Sequence, residues 1–105
     1  MTALDGTRRP VHSSRMVRDN TTLSRFELDM NGATAYSVYH RSRGVVTFLH
    51  TEVPEALRGH GAGAALAAGA LAMVRTWGEK VYAKCPYVAA YIANHPEEQD
   101  LVVTR

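Results

Sequence analysis

Three groups of residues in this 105-residue chain have types and spacings that could do chemistry. In VPEALRGHGAGAAL, residues 53–66, Gly59, Gly61 and Gly63 fall within five positions, directly before an alanine-rich run. A glycine-rich turn at a helix start gathers unpaired amide N–H groups at the positive end of the helix dipole, which suits an anion, and bulky side chains there would obstruct a phosphate. Close packing of helix on sheet is the plainer use of such glycines. His50 and Glu52 alternate about Thr51, so their side chains share one face just before the loop. Either could take a proton, directly or through a water; a satisfied sheet histidine and a solvated acid are the plainer readings. Cys85 precedes Pro86. Proline is tolerated at the first helical position, so the thiol falls at a helix N-cap, where a thiolate is favoured. Cys85 is therefore a candidate nucleophile or proton donor, with a small buried hydrophobe as the structural alternative.

The type of phosphate loop can be narrowed from its neighbours. A P-loop needs Lys and then Ser or Thr after its last glycine, where this chain has Ala64 and Ala65. Gly59, Gly61 and Ala64 formally meet the dinucleotide fingerprint, but that motif opens a βαβ unit whose next strand ends in an acid, and here it ends in Cys85.

The elements that must position these groups follow from periodicity. In LSRFELDM, residues 23–30, Phe26, Leu28 and Met30 alternate with Arg25, Glu27 and Asp29, the pattern of a strand with one face on the core. Asn31-Gly32 signals a tight hairpin, ATAYSVYH a return strand, and RSRG a second turn before VVTFLHTEV. That third strand is apolar on both faces, as a central strand would be. From Gly61 onward, Leu66, Ala70, Met73, Val74 and Trp77 mark one face of a helix, with Gly78 at its C-terminal cap. KVYAKC then reads as a strand parallel to its neighbour, YVAAYIANH as a last helix closed by His95-Pro96, and DLVVT as a short strand or a packed tail. The fold class is α/β (α+β): an antiparallel meander, a helical crossover and a parallel strand in one mixed sheet. Residues 1–15, which mix Gly, Pro, Ser and Arg without periodicity, read as a mobile leader to a single domain over 16–105.

Composition bounds the classes of function. A hydrophobic fraction of 46% with 21% charged residues describes an ordinary globule. The formal net charge of +2 is spread among acids, which argues against a nucleic-acid partner. Cys85 stands alone, and His12, His40, His50, His60 and His95 show no ligand pairing, so no metal site is expected. The longest apolar stretch, over 62–74, is glycine-interrupted and short of a membrane span, and the first twenty residues lack a signal-like apolar core; a cytoplasmic chain without a membrane partner is expected.

Arg58, Gly61 and Gly63 match the Q/R-x-x-G-x-G/A signature of the GNAT superfamily of acyl-CoA-dependent N-acetyltransferases. With HTEVP before the loop and KVYAKCPYVAAYIANHPE after it, the chain resembles the minimal single-domain branch of that superfamily over roughly residues 16–103. The resemblance implies acetyl-CoA as cosubstrate along residues 53–64, with Val53, Arg58, Gly59, His60, Gly61, Ala62, Gly63 and Ala64 holding the coenzyme and Asn94 touching its pantetheine arm. It also supports Cys85 as nucleophile or general acid; of the two groups on the preceding strand face, Glu52 is the expected base and His50 is expected to orient substrate or Cys85. Tyr87 and Tyr91, one helical turn apart, read as core or acyl-channel packing, although many GNAT enzymes use a tyrosine on that element as general acid. The acceptor is then an amine, either a small molecule or a protein lysine. A non-catalytic acyl-CoA-binding module is the alternative of a different class.

Overall fold

The computed structural model describes residues 17–103, so the leader expected over residues 1–15 lies outside the described residues. Five strands lie side by side in chain order: β1 Val17–Asn20, β2 Arg25–Met30, β3 Ala33–Ser42, β4 Val45–Glu52 and β5 Lys80–Ala83. The first four are antiparallel neighbours, and β5 joins β4 in parallel after the crossover helix α1, Ala62–Thr76. A parallel pair needs such a crossover, because a short turn can only reverse the chain. The mixed α/β sheet expected from the sequence is therefore present, with β1 as an additional strand at its edge.

The turns after β2 and after β3 each place two consecutive residues at positive φ, Asn31 with Gly32 and Arg43 with Gly44. That geometry matches the twist of the strands it joins, and it fixes the register of the meander. One face of the sheet, carrying Phe26, Leu28, Ala35, Tyr39, Val46 and Phe48, buries itself against Leu66, Ala70, Leu71 and Val74 of α1. Each fully buried large side chain contributes about 1.5–3 kcal/mol relative to exposure. Phe26 centres an aromatic cluster, 4.7 Å from the Tyr39 ring, 5.7 Å from Phe48 and 5.8 Å from Trp77. Arg41 covers Trp77 at 3.9 Å and pairs with Glu79, which seals the C-terminal end of α1.

The other face is polar, yet one of its acids is not solvated. Glu27 alternates out of the core as its spacing predicts, but its side chain is only 4% exposed, held between Arg18 and Arg25 and by the amide of Asn20. Arg18 comes from β1, the strand with the weakest apolar pattern.

The last helix, α2, spans Pro86–Ala93 with Cys85 as its N-cap residue. A 3₁₀ segment, Pro96–Leu101, then turns back along α1, where Arg75 grips Asp100 at 2.8 Å and Glu98 at 3.1 Å. DLVVT is a packed tail with one strand-like contact: a single parallel bridge from Val102 to Val81, with the Val103 amide donating to the Val81 carbonyl. Among the described residues no helix is long and apolar enough to cross a membrane.

Candidate functional site

The site forms where β4 and β5 part. Their pairing runs from Val45 opposite Lys80 to Phe48 opposite Ala83 and stops there. The Lys84 and Cys85 amides both donate to the Phe48 carbonyl, after which β5 gives way to α2 while β4 continues to Glu52 against β3 alone. From Leu49 to Val53, one strand edge thus faces an opening.

A bulge at the same point sets which side chains face it. Tyr39 pairs with Phe48 but Val38 pairs with His50, so Leu49 is an extra residue, and it is 44% exposed. An extra residue shifts the two-residue alternation by one, so strand positions beyond it change face. Thr51, opposite buried Ser37, therefore points to the same face as Phe48, three positions away, while His50 and Glu52 turn to the opposite face. The expectation that β4 is apolar on both faces holds only for its first half.

A cleft of about 470 Å³ fills the opening. Thr51, Glu52 and Val53 line it from β4, Leu57 and Arg58 from the connecting turn, Gly59, Gly61, Ala62, Gly63 and Ala64 from the loop and first turn of α1, and Tyr87 from α2. Gly61 is the N-cap of α1 at φ 78°, and Gly59 has φ 82°. A β-carbon on either would meet nothing within 4 Å, so glycine serves the backbone conformation there and leaves the space in front of the amides open. No side chain caps α1, whose first-turn N–H groups are thus presented to the cleft. Gly63 differs: it is buried, and a β-carbon there would lie 2.0 Å from the Tyr87 hydroxyl.

Seven of the nine residues expected to hold a coenzyme line this cleft, as does one expected catalytic residue, Glu52. His60 is exposed and stands outside it, its amide bound to the Leu57 carbonyl. Asn94 lies beyond the end of α2 in a separate hollow. His50 reaches the cleft only through Glu52, with Nε2 3.2 Å from Oε1. Cys85 is 2% exposed and stands behind the wall: its Sγ–H donates to Thr51 Oγ1 at 3.3 Å, and Thr51 shares a 2.9 Å hydrogen bond with Ser37. The Arg58 Nε–H donates to the Val53 carbonyl at 3.2 Å, tying the turn to the end of β4.

Residues 25–101, well over half of the chain, match the family described as GCN5-related N-acetyl-transferase. The chain belongs to the GCN5-related N-acetyltransferase family. Its fold agrees with the solution structure of a GCN5-like protein from Staphylococcus aureus at a TM-score of 0.65, with 22% identity over 85% of this chain and 88% of that one. No curated protein sequence matches it at comparable significance.

Two side chains that shape the site of this GCN5-related chain carried little signal in the sequence. Thr51 was the residue between His50 and Glu52, and only the bulge turns it toward Cys85. Tyr87 read within CPYVAAYI as core or acyl-channel packing; it is 43% exposed, so it is no core residue, and it forms the cleft wall on the α2 side. Among the described residues no group of three or more His, Cys, Asp or Glu gathers as a metal site would require.

Proposed function

We propose that the chain is an N-acetyltransferase that moves an acetyl group from acetyl-CoA to an amine, with the coenzyme held in the cleft between β4, α1 and α2. The observation that carries this reading is the meeting of uncapped, glycine-opened amides at the start of α1 with the unpaired edge of β4 in one cleft. A pyrophosphate suits the amides and the helix dipole. An extended arm carrying amide groups suits a strand edge that offers backbone N–H and C=O groups. Arg58, on the cleft wall and already aimed at Val53, adds a fixed positive charge for the phosphates.

The chemistry assigns roles to the lining side chains. An amine must lose a proton as its nitrogen attacks the thioester carbonyl, the oxygen charge must be stabilised, and the departing sulfur must gain a proton. Glu52, in the cleft wall and partnered by His50, is placed to take the amine proton directly or through a water. Backbone N–H groups at the parted edge of β4 serve the oxygen. Cys85 stands one hydroxyl behind the wall, which favours supplying a proton through Thr51 over carrying the acetyl group itself. Tyr87, in direct view of the cleft, is the other group with a proton for the sulfur.

The test is incubation with acetyl-CoA and a panel of small amines and lysine peptides, following coenzyme A release and acceptor acetylation. Turnover that falls with Glu52→Gln supports the reading. Tight binding of coenzyme A with no release above background on any acceptor leaves the acyl-CoA-binding module, and no binding at all overturns both.

A further inference from the structure

The chain has two lysines, Lys80 and Lys84, one at each end of β5. Their surroundings differ. Lys80 lies opposite Val45, far from the opening, and its Nζ donates to the Asp100 carbonyl at 3.1 Å. Lys84 follows the last paired residue of β5, where β4 and β5 part, and its amide donates to the Phe48 carbonyl at 3.0 Å. Lys84 is exposed, and among the described residues no hydrogen bond or ion pair engages its Nζ.

Alternation decides the face to which that amine belongs. Val81, Ala83 and Cys85 turn to the core face, whereas Tyr82, opposite Thr47, and Lys84 turn to the other. His40, Val38 and Tyr36 are alternate residues of β3 and pair with Thr47, His50 and Glu52, so these three share that other face in spite of the bulge. Lys84 therefore stands on the side of Glu52 and His50, across the sheet from Cys85. Glu52 joins the two regions, since it turns to the face of Lys84 and also lines the cleft. A lysine stem reaches about 6 Å from its Cα, roughly two residues of strand advance, which carries the amine from the level of Phe48 to about that of His50. That stretch begins the parted edge, whose N–H groups serve the thioester oxygen in the reading above.

We propose that Lys84 is an acceptor within the enzyme itself: acetyl-CoA held in the cleft acetylates Lys84 of the same molecule. The proposal rests on the acetyltransferase reading of the cleft and names an amine of this chain that the reaction modifies. The neutral Lys84 amine attacks the thioester carbonyl carbon, and the C–N bond forms as the C–S bond breaks. The amine proton passes to the Glu52 carboxylate, and coenzyme A leaves as a thiolate that takes up a proton. The products are acetyl-lysine and coenzyme A, and no further reactant is needed.

The experiment incubates the full chain with saturating acetyl-CoA and no added amine, at several protein concentrations, and follows acetylation by intact-protein and peptide mass spectrometry. One acetyl group is expected on Lys84, in a hydroxylamine-stable amide that distinguishes it from a thioester on neighbouring Cys85. Lys84 should be labelled about a hundredfold faster than Lys80, because a positioned amine reacts at a high effective concentration. The first-order rate should not depend on protein concentration. Lys84→Arg, which keeps the charge, should lose the label, and Glu52→Gln should slow it about 10²- to 10⁴-fold. Equal labelling of Lys80 and Lys84, or an unchanged rate in Glu52→Gln, would mark direct reaction of the thioester with surface amines and overturn the proposal. A rate that rises with protein concentration would place the acceptor on a second molecule and overturn it too. An unmodified Lys84 in a chain that acetylates an external amine overturns the self-acceptor and leaves the acetyltransferase reading intact. Absence of coenzyme A release with every amine, Lys84 included, overturns both.

Discussion

The Tyr87 hydroxyl stands 2.0 Å from where a β-carbon on Gly63 would be, and its ring carbon Cζ only 2.7 Å away. The first turn of α1 and the first turn of α2 are thus fitted to each other through one missing side chain. Gly63→Ala must displace the Tyr87 ring, and because that ring is exposed it can swing out at low cost. We expect a stability loss of only about 1 kcal/mol, checked by thermal melting, with a coenzyme A affinity about tenfold weaker, equivalent to about 1.4 kcal/mol. Adding Tyr87→Ala should recover stability but not affinity; a single variant that keeps full affinity would separate Tyr87 from the site.

Gly61 is required for a different reason, since a β-carbon there has space but the backbone is left-handed. Gly61→Ala should cost about 1–2 kcal/mol in strain, and Gly61→Asn less, because asparagine tolerates that conformation. Melting temperatures of the two variants check the order. Coenzyme A affinity should fall in the same order, as the N-cap amides lose their alignment.

The sequence carried the meander, the crossover helix, the N-cap position of Cys85 and most of the cleft lining, because each of these is set by local pattern: alternation, turn chemistry, or glycine and proline at helix ends. It did not carry what depends on residues distant in the chain. The burial of Glu27 needs Arg18 from a strand whose four residues, VRDN, have one apolar member. The turn of Thr51 toward Cys85 needs the extra residue at Leu49, and an alternating stretch read alone shows no bulge. The reason for Gly63 lies 24 positions further on, in Tyr87, so a glycine assigned to phosphate contact has a packing role as well.

Glu52 and His50 separate base from partner. Glu52→Gln keeps size and hydrogen bonding but removes the basic oxygen, so turnover should fall about 10²- to 10⁴-fold with little change in acetyl-CoA affinity. His50→Ala, which removes a neighbour 3.2 Å from Oε1 and not a cleft residue, should fall by no more than about tenfold. Steady-state rates at saturating acetyl-CoA check both, and the reverse order would make His50 the base.

The buried Cys85 thiol reaches the cleft wall through Thr51, whose hydroxyl is also hydrogen-bonded to buried Ser37. If the thiol acts through the hydroxyl, Thr51→Val and Cys85→Ala should slow turnover to a similar extent, with a double variant no slower than either single one, since linked steps do not add. Intact-protein mass spectrometry after mixing with acetyl-CoA should show no acetyl group on Cys85. A stable acetyl-cysteine would instead make the thiol the nucleophile and Thr51 its guide.

Acid should unfold the protein through the ion pairs of the polar sheet face and the C-terminal clamp. The Arg25 guanidinium, ahead of Asn20 and Arg18, holds the Glu27 carboxyl below its usual range; Arg18 and then Thr34 do so for Asp29, and Arg75 for Asp100. A carboxyl whose folded value is depressed is more readily protonated in the unfolded chain, so its stabilisation is present above the unfolded value and is lost as pH falls through the folded one. Melting temperature should therefore be flat at neutral pH and decline below about pH 4.5, the ordinary value for a glutamate carboxyl. Glu27→Gln should lower stability at pH 7 by about 1–2 kcal/mol, reduced by the exposure of its arginine partners, and flatten the acid limb. An unchanged acid limb in that variant would assign the titration to Asp29 and Asp100, and Asp100→Asn would then reveal how much of it belongs to the Arg75 clamp.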